Sequence, residues 1–297
     1  MQIYDSRLCG HSRQVILICR RGETFITDFI SAIPAITIRT THNDPELDQK
    51  LAWFLQQPGC VWQTTPSGHE SLRPVLNITR RGVFLYEGED NLHFHPNMAL
   101  LRLMNILKGE SDRYLQATGL KPGDSLLDLT LGLGGDALVG AWAVGARGRV
   151  IGVELSPVIS ALVKDGLQVL AAATLPQAGN PAKKEAWEAL ARAAGRIEVI
   201  WADHYTYLCR QPSDSVDVIF FDPMFRSTRE KSASIKPLHS WSDHRSLRRE
   251  VIQEARRVAR RSLVLKERKG SSEFSRLGFR IMPGGRYSQV DYGLISV

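Results

Sequence analysis

A glycine-rich turn that follows an acidic residue is the first place where side-chain types and spacing indicate chemistry. Asp128 closes an apolar run and is followed four residues later by Gly132, and then by Gly134. Glycines at such a turn let the backbone approach a ligand closely. Gly132, Gly134 and Ala137 also satisfy G-x-G-x-x-A, with Glu154 about twenty residues further on, which is the dinucleotide fingerprint. The turn alone therefore leaves two cofactors open, a nicotinamide dinucleotide and S-adenosylmethionine (SAM).

The carboxylate of Asp128 favours SAM. A pyrophosphate would repel an anion at this strand end, whereas the sulfonium and ammonium groups of SAM can lie beside one. Glu154 ends the next apolar run, where its carboxylate can accept both ribose hydroxyls of an adenosine ligand. Asp203 follows a third run, where a side chain could meet the adenine amino group. These residues predict a SAM site built from Asp128, Gly132, Gly134, Glu154 and Asp203.

The segment SVDVIFFDPMF indicates a second site, for a methyl acceptor. Its hydrophobic run delivers Asp222 to a turn that Pro223 enforces. The Asp222 carboxylate and the Pro223 carbonyl could accept the two N–H bonds of an exocyclic amine, and Phe225 could stack on the base. An amine conjugated to a ring is a poor nucleophile, so orientation and electrostatics would carry the reaction. We predict Asp222, Pro223 and Phe225 as the catalytic residues.

Alternating strands and helices are predicted to position both sites. From about residue 125 the apolar runs alternate between strand and helix patterns, which predicts a parallel sheet with helices on both faces. Ligands bind such sheets at the carboxyl ends of the strands. The chain closes with two strand-like runs around residues 283–285, which suits an antiparallel pair. The residues that precede the sheet, 96–118, have helical spacing.

The first third of the chain reads as a small mixed α/β unit. A strand is predicted over 14–19, a helix over 46–56 and a hairpin over 74–87. The acidic turn at 88–91 suggests a junction. We therefore expect an N-terminal α/β domain over 1–92 and a larger domain over 93–297. The segment 174–195 is expected to form a surface helix without a chemical role.

Charge and composition bear on the partner and the compartment. The 297-residue chain carries a formal net charge of +7, which is compatible with a nucleic acid and equally with simple solubility. The four cysteines show no metal-ligand spacing, so no metal site is expected. No apolar run has the length of a membrane span, and a cytoplasmic location is expected. Basic residues crowd the stretch after the acceptor turn and could grip phosphates: Arg226, Arg229, Lys231, Lys236, Arg245, Arg248, Arg249, Arg256, Arg257, Arg260 and Arg261.

Over about residues 93 to 297 the sequence resembles the bacterial RsmJ family, methyltransferases that modify the N2 amine of a guanosine in small-subunit ribosomal RNA. The resemblance rests on LLDLTLGLGGDALV, KDGL at 164–167, FFDPMF, SLVLKER and RYSQVDYGL. It implies a Rossmann-like class I methyltransferase sheet, SAM as the cofactor, and ribosomal RNA or the small ribosomal subunit as the partner. It adds Asp136 to the cofactor residues and Lys266 to the candidates.

Three readings of the function therefore stand at this point. The main one is a methyltransferase that acts on a nucleobase amine, guanine N2 in small-subunit ribosomal RNA. A methyltransferase for DNA or for a small-molecule amine uses the same chemistry. An NAD-dependent oxidoreductase, suggested by G-x-G-x-x-A, belongs to a different class and would need a hydride-transfer site that the sequence does not display.

Overall fold

The computed structural model describes residues 35–64, 74–173, 180–223, 236–286 and 288–297. The strand predicted over 14–19 lies outside these residues. None of the helices in the described ranges is long and apolar enough to cross a membrane.

A small five-stranded sheet comes first in the described chain. Its strands are ordered β2-β1-β3-β4-β5, and the β3–β4 pair is the hairpin predicted from the sequence. Asp44 caps the helix, and Pro45 occupies its first turn, where a missing N–H does no harm. The elements are β1 (Ile36–Thr40), α1 (Pro45–Leu55), β2 (Trp62–Thr64), β3 (Val75–Thr79), β4 (Gly82–Glu87) and β5 (Asp90–Leu92).

A seven-stranded sheet follows, and it confirms the predicted fold class. Its order is β11-β12-β10-β9-β6-β7-β8; the strands from β10 to β8 run parallel, and β12 is antiparallel to both β10 and β11. The strands are β6 (Ser125–Asp128), β7 (Arg149–Glu154), β8 (Ile197–Trp201), β9 (Val216–Phe221), β10 (Ala259–Arg268), β11 (Arg280–Met282) and β12 (Val290–Ser296).

Helices cover both faces of this sheet. They are α2 (Asn97–Leu107), α3 (Arg113–Thr118), α4 (Gly135–Val144), α5 (Pro157–Ala172), α6 (Pro181–Ala194), α7 (His204–Leu208), α8 (Lys236–Trp241), α9 (Arg249–Val258) and α10 (Glu273–Leu277). Successive strand residues point to opposite faces, so Phe220 joins the core under α4 and α5 while Phe221 joins the core under α9 and α10. This alternation decides which residues at the strand ends share a face.

The helix predicted within 174–195 contributes to the core. Ala186, Leu190 and Ala193 of α6 are buried, and α6 packs against α2, α4 and α5. The expected surface helix is therefore only half exposed, because its small alanines allow close approach to three neighbouring helices.

The small sheet and the large one share one hydrophobic core, and specific contacts also join them. Lys50 of α1 forms an ion pair with Asp165 of α5 at 2.7 Å. Phe94, just after β5, packs against Gly166, where a Cβ would come within 2.1 Å of the ring. The boundary between residues 92 and 93 stays a prediction.

Candidate active site

A cavity of about 690 Å³ opens at the carboxyl edge of the large sheet. The predicted glycine turn and the predicted acceptor turn both line it, which places the two halves of the expected site side by side. Its predicted members are Asp128, Gly132, Asp136, Glu154, Asp222 and Pro223. The sheet order explains the juxtaposition, since β6 and β9 are direct neighbours although about ninety residues of chain separate them.

The glycine turn is fixed by backbone hydrogen bonds to both neighbouring strands. The Leu129 amide donates to Phe220 and the Leu131 amide donates to Val153. Gly132 and Gly134 have φ of +51° and +75°, conformations that other residues rarely adopt. Gly132 lines the cavity, whereas Gly134 is the N-cap of α4 and is absent from the cavity wall.

Glu154 holds the turn from the next strand. One of its carboxylate oxygens accepts the Gly132 amide at 2.9 Å and the other accepts the Ser156 amide at 2.8 Å. Burial raises the pKa of Glu154 to about 7, against the lowering effect of the two amides. Each oxygen keeps a lone pair for a ligand hydroxyl, because a carboxylate oxygen can accept two hydrogen bonds.

Asp128 lies at the bottom of the cavity and is 1% exposed. Its carboxylate accepts the Thr130 amide at 3.0 Å. Burial raises the pKa of Asp128 well above its usual range, and the nearby Asp136 and Asp222 carboxylates add to the effect. A cationic ligand beside Asp128 would lower this pKa and favour the ionised form, as expected for a neighbour of a sulfonium or ammonium group.

Asp222 is held at both its backbone and its side chain. Its amide donates to the Thr130 hydroxyl at 2.6 Å, which ties the acceptor turn to the glycine turn. Its Oδ2 accepts Lys266 Nζ at 2.6 Å. Burial raises the pKa of Asp222 although Lys266 works in the opposite direction. Within the described ranges the other oxygen, Oδ1, accepts no hydrogen bond, so a substrate N–H could bind it.

Asp136 lies between two cations in the same cavity. Arg102 Nη1 donates to Asp136 Oδ1 at 2.6 Å and Lys266 Nζ donates to Oδ2 at 2.9 Å. Burial favours a higher pKa, but Lys266 and Arg102 outweigh it and hold the pKa of Asp136 below its usual range. Arg102 also makes a bidentate contact to Asp112. The result is a line of alternating charges from Asp112 to Asp222.

Asp203 has a different environment from the one expected. Its Oδ1 accepts the Thr206 amide and caps α7, and its Oδ2 accepts Arg245 at 3.1 Å. Burial opposes ionisation, but His204, the Thr206 amide and Arg245 together lower the pKa of Asp203. The neighbouring His204 lines the cavity and Asp203 does not. Its contact with the adenine amine therefore stays a prediction.

Phe225 lies outside the described residues, as does Met224. Pro223 is the last described residue of the acceptor turn and lines the cavity. The stacking role of Phe225 stays a prediction.

Arg102 and Tyr292 are among the side chains of this cavity that sequence reasoning missed. Arg102 lies in α2 among methionines and leucines at helical spacing, and no sequence signal links it to Asp136. Tyr292 stands opposite Lys266 in the β10–β12 pair and also lines the cavity. The RYSQVDYGL motif contained it, and an antiparallel register drawn from that motif could have placed it beside Lys266.

The basic stretch after the acceptor turn is less available to phosphates than expected. Four of its arginines pair with acids of the chain itself: Arg245 with Asp243 and Asp203, Arg257 with Glu254, Arg260 with Asp217, and Arg261 with Asp124. Arg248 lies over the Tyr205 ring. Arg226, Arg229 and Lys231 lie outside the described residues. The phosphate-gripping hypothesis stays a prediction, and at those four arginines a phosphate would have to compete with these ion pairs.

The donor set suits SAM. The Gly132 backbone borders the cavity with no heavy atom closer than 4.0 Å to where a Cβ would stand, so a ligand can reach it. Glu154 offers acceptors for ribose hydroxyls and Asp128 offers an anion for the sulfonium side. The leucines 129, 131, 133 and 155 supply apolar wall.

Comparisons with known proteins support this assignment. The model of a family of SAM-dependent methyltransferases matches residues 93–273. The chain is 40% identical over 215 residues to the uncharacterized protein YpiP of Bacillus subtilis (strain 168), covering 71% of this chain and 77% of that protein. It is 37% identical to ribosomal RNA small subunit methyltransferase J of Pseudoalteromonas atlantica, over 68% of this chain and 74% of the relative. The resemblance to the RsmJ family is thereby confirmed.

A second such methyltransferase, from Laribacter hongkongensis, is 37% identical over 45% of this chain and 42% of its own length. A solved SAM-dependent methyltransferase from Neisseria gonorrhoeae has the same fold, with a TM-score of 0.56 at 15% identity over 89% of this chain and 96% of that one. These findings decide the cofactor in favour of SAM and leave the dinucleotide alternative without support. The chain belongs to the family of SAM-dependent methyltransferases.

Proposed function

We propose that this enzyme methylates an exocyclic amine of a nucleobase, and that the amine is guanine N2 in small-subunit ribosomal RNA. The observation that carries the proposal is the placement of Asp222. Its carboxylate borders the cavity beside the Gly132 turn, one oxygen is held by Lys266, and the other can accept an amine N–H. The RsmJ relatives support ribosomal RNA as the substrate class, and such a substrate agrees with a cytoplasmic enzyme.

The chain's own residues would orient the amine and receive its proton. When bound, SAM supplies an electrophilic methyl group on sulfur. Asp222 Oδ1 and the Pro223 carbonyl would each accept one amine N–H, which turns the nitrogen lone pair toward that methyl group. As the amine displaces the sulfur of SAM from the methyl carbon, one amine proton would leave to Asp222 or to water. Because burial raises the pKa of Asp222, this carboxylate is a better proton acceptor than an exposed aspartate.

Lys266 and Thr130 would act as positioning residues. Lys266 fixes the Asp222 side chain, and the Thr130 hydroxyl fixes its backbone. Glu154, Asp128 and the Gly132 turn would hold the cofactor. The proposed cofactor role of Asp136 is indirect, since both of its oxygens are engaged by Arg102 and Lys266.

The test is to incubate the protein with methyl-labelled SAM and, separately, small ribosomal subunits, free ribosomal RNA and duplex DNA, and then to identify the labelled nucleosides. Label in N2-methylguanosine from ribosomal RNA is the expected result. Label in another nucleoside of RNA would move the acceptor, and label only in DNA or in a small amine would overturn the RNA assignment. Asp222→Ala serves as the control that ties any label to this site.

A further inference from the structure

Each of the five parallel strands has a carboxylate at or just after its carboxyl end. In sheet order from β8 to β10 these are Asp203, Glu154, Asp128, Asp222 and Glu267. The first three belong to the predicted cofactor half and the fourth to the acceptor turn. Glu267 is the fifth, on the side of the acceptor turn away from the cofactor, and the proposed reaction does not use it.

Glu267 is a largely buried residue at the edge of a second cavity. It is 8% exposed, and its carboxylate makes no hydrogen bond or ion pair within the part of the chain that the structure describes. The other four carboxylates each accept at least one N–H group. A carboxylate that is largely removed from bulk water and has no donor nearby is unfavourable, so a ligand that brings an N–H group into the adjoining cavity would stabilise Glu267.

Glu267 opens into a second cavity, of about 170 Å³. Pro223, Arg245 and Leu247 line both this cavity and the large one, so the two adjoin at the acceptor turn. Ser246 and Ser272 also line it, and within the described ranges their hydroxyls have no hydrogen-bond partner. The wall therefore combines the Glu267 carboxylate with hydroxyls that can donate or accept, and it also contains Glu273, Arg245 and Arg268.

The pleat of β10 separates Glu267 from the reacting amine. Lys266 faces Asp136 and Asp222, so the next residue, Glu267, faces the opposite side, toward α10. A group that meets Glu267 must then be a part of the substrate other than the methylated amine. A volume of about 170 Å³ is the volume that roughly five or six water molecules occupy in liquid water. The cavity can therefore hold the edge of one planar ring and no larger ligand.

We propose that this cavity receives a base adjacent to the acceptor nucleotide, and that Glu267 accepts N–H bonds from the amino or imino edge of that base. The inference rests on the proposed function. A carboxylate is an acceptor only, so it pairs with the N4 amine of cytosine or with the N1–H and N2–H groups of guanine. Uracil presents carbonyl oxygens on both sides of its single N–H and would be disfavoured. Enzymes that act on bases commonly take their sequence context from contacts to flanking nucleotides.

The experiment compares small ribosomal subunits whose RNA carries each of the four bases on either side of the mapped acceptor. For the unaltered enzyme, kcat/KM should favour guanine or cytosine over uracil at one flanking position by about 5- to 150-fold, the range for one good base contact. Glu267→Gln should remove most of that preference, because the amide presents a donor as well as an acceptor. SAM affinity, measured by titration calorimetry, should stay within about twofold.

Glu198→Gln is the matched control, since Glu198 is an exposed glutamate on β8 that pairs with Arg149. It should keep the full flanking-base preference. Equal rates for all flanking bases with the unaltered enzyme would overturn the inference, as would an unchanged preference in Glu267→Gln or a uniform loss on all four bases. If the unaltered enzyme binds SAM but labels no RNA, the proposed function itself fails and this subsite fails with it.

Discussion

Replacing Lys266 with methionine tests whether the ion pair sets the proton affinity of the acceptor carboxylate. Lys266 Nζ lies 2.6 Å from Asp222 Oδ2, a separation at which Coulomb's law with an effective dielectric of about 20 gives about 6 kcal/mol. The two side chains are 22% and 28% exposed, so solvent screens part of this energy. We take half, about 3 kcal/mol, which corresponds to about two pKa units.

The expected direction follows from the charges. Burial raises the pKa of Asp222 and Lys266 lowers it, so removing the cation raises that pKa further. A protonated Asp222 accepts fewer N–H bonds. The acid limb of the kcat/KM profile for methyl transfer to small ribosomal subunits should therefore move about two pH units toward alkaline pH, with much of the activity recovered above that limb.

Stability gives an independent readout of the same change. With its pKa further above the unfolded value, Asp222 would destabilise the variant increasingly as the pH rises. Urea unfolding at pH 8 should show a loss of about 3 kcal/mol, the lower end for breaking a buried pair, and a smaller loss at acidic pH. Lys269→Met, an exposed lysine just past the same strand, should change neither quantity. An acid limb that does not move, or an equal loss of activity at every pH, would refute the reasoning.

Three further predictions concern single positions. Asp222→Ala should lower methyl transfer by at least about a thousandfold, the scale of lost orientation and proton acceptance, while SAM affinity by calorimetry changes less than threefold. The SAM affinity of the unaltered enzyme should fall up to tenfold per pH unit below pH 7, because the pKa of Glu154 is about 7 and its protonated form accepts ribose hydroxyls less well. The Glu154→Gln variant should bind SAM weakly, and its affinity should not depend on pH in this way. Gly152→Ala should destabilise the fold by about 1–3 kcal/mol in urea unfolding and weaken SAM binding, because the added Cβ would come within 2.5 Å of the Leu131 side chain and displace the glycine turn. Wild-type SAM affinity in that variant would contradict the proposed link between Gly152 and the position of the glycine turn.

The sheet and most of its edge could be predicted from the sequence because local patterns encode them. Apolar runs that end in an acid gave β6, β7 and β9, and the parallel topology then brought Asp128, Glu154 and Asp222 to one edge. The closing strand pair around residues 283–285 was likewise predictable from its turn and is confirmed.

What could not be predicted depends on pairings between distant segments. Arg102 reads as one polar residue in an apolar helix, and only the packing of α2 on α4 brings it to Asp136. The sequence suggested an adenine contact for Asp203 and a phosphate contact for Arg245. In the fold the two side chains lie close enough to form an ion pair with each other, and the sequence gives no sign of this proximity. Glu267 is one acid among the basic residues at the end of β10, and the sequence alone does not show that no partner within the described ranges reaches it.

The long separation between the two halves of the site has a consequence for how the protein is made. Asp222 and Thr130 are 92 residues apart, and Lys266 follows Asp222 by another 44. At about 5–20 residues per second, a ribosome completes Asp222 roughly 2 to 9 seconds before Lys266. During that interval the nascent chain would have to bury Asp128, Asp136 and Asp222 with Arg102 beside Asp136 but without the lysine that pairs with both Asp136 and Asp222, which disfavours closure of the central strands. Folding of this edge of the sheet should therefore await β10, so that an incomplete chain does not capture SAM.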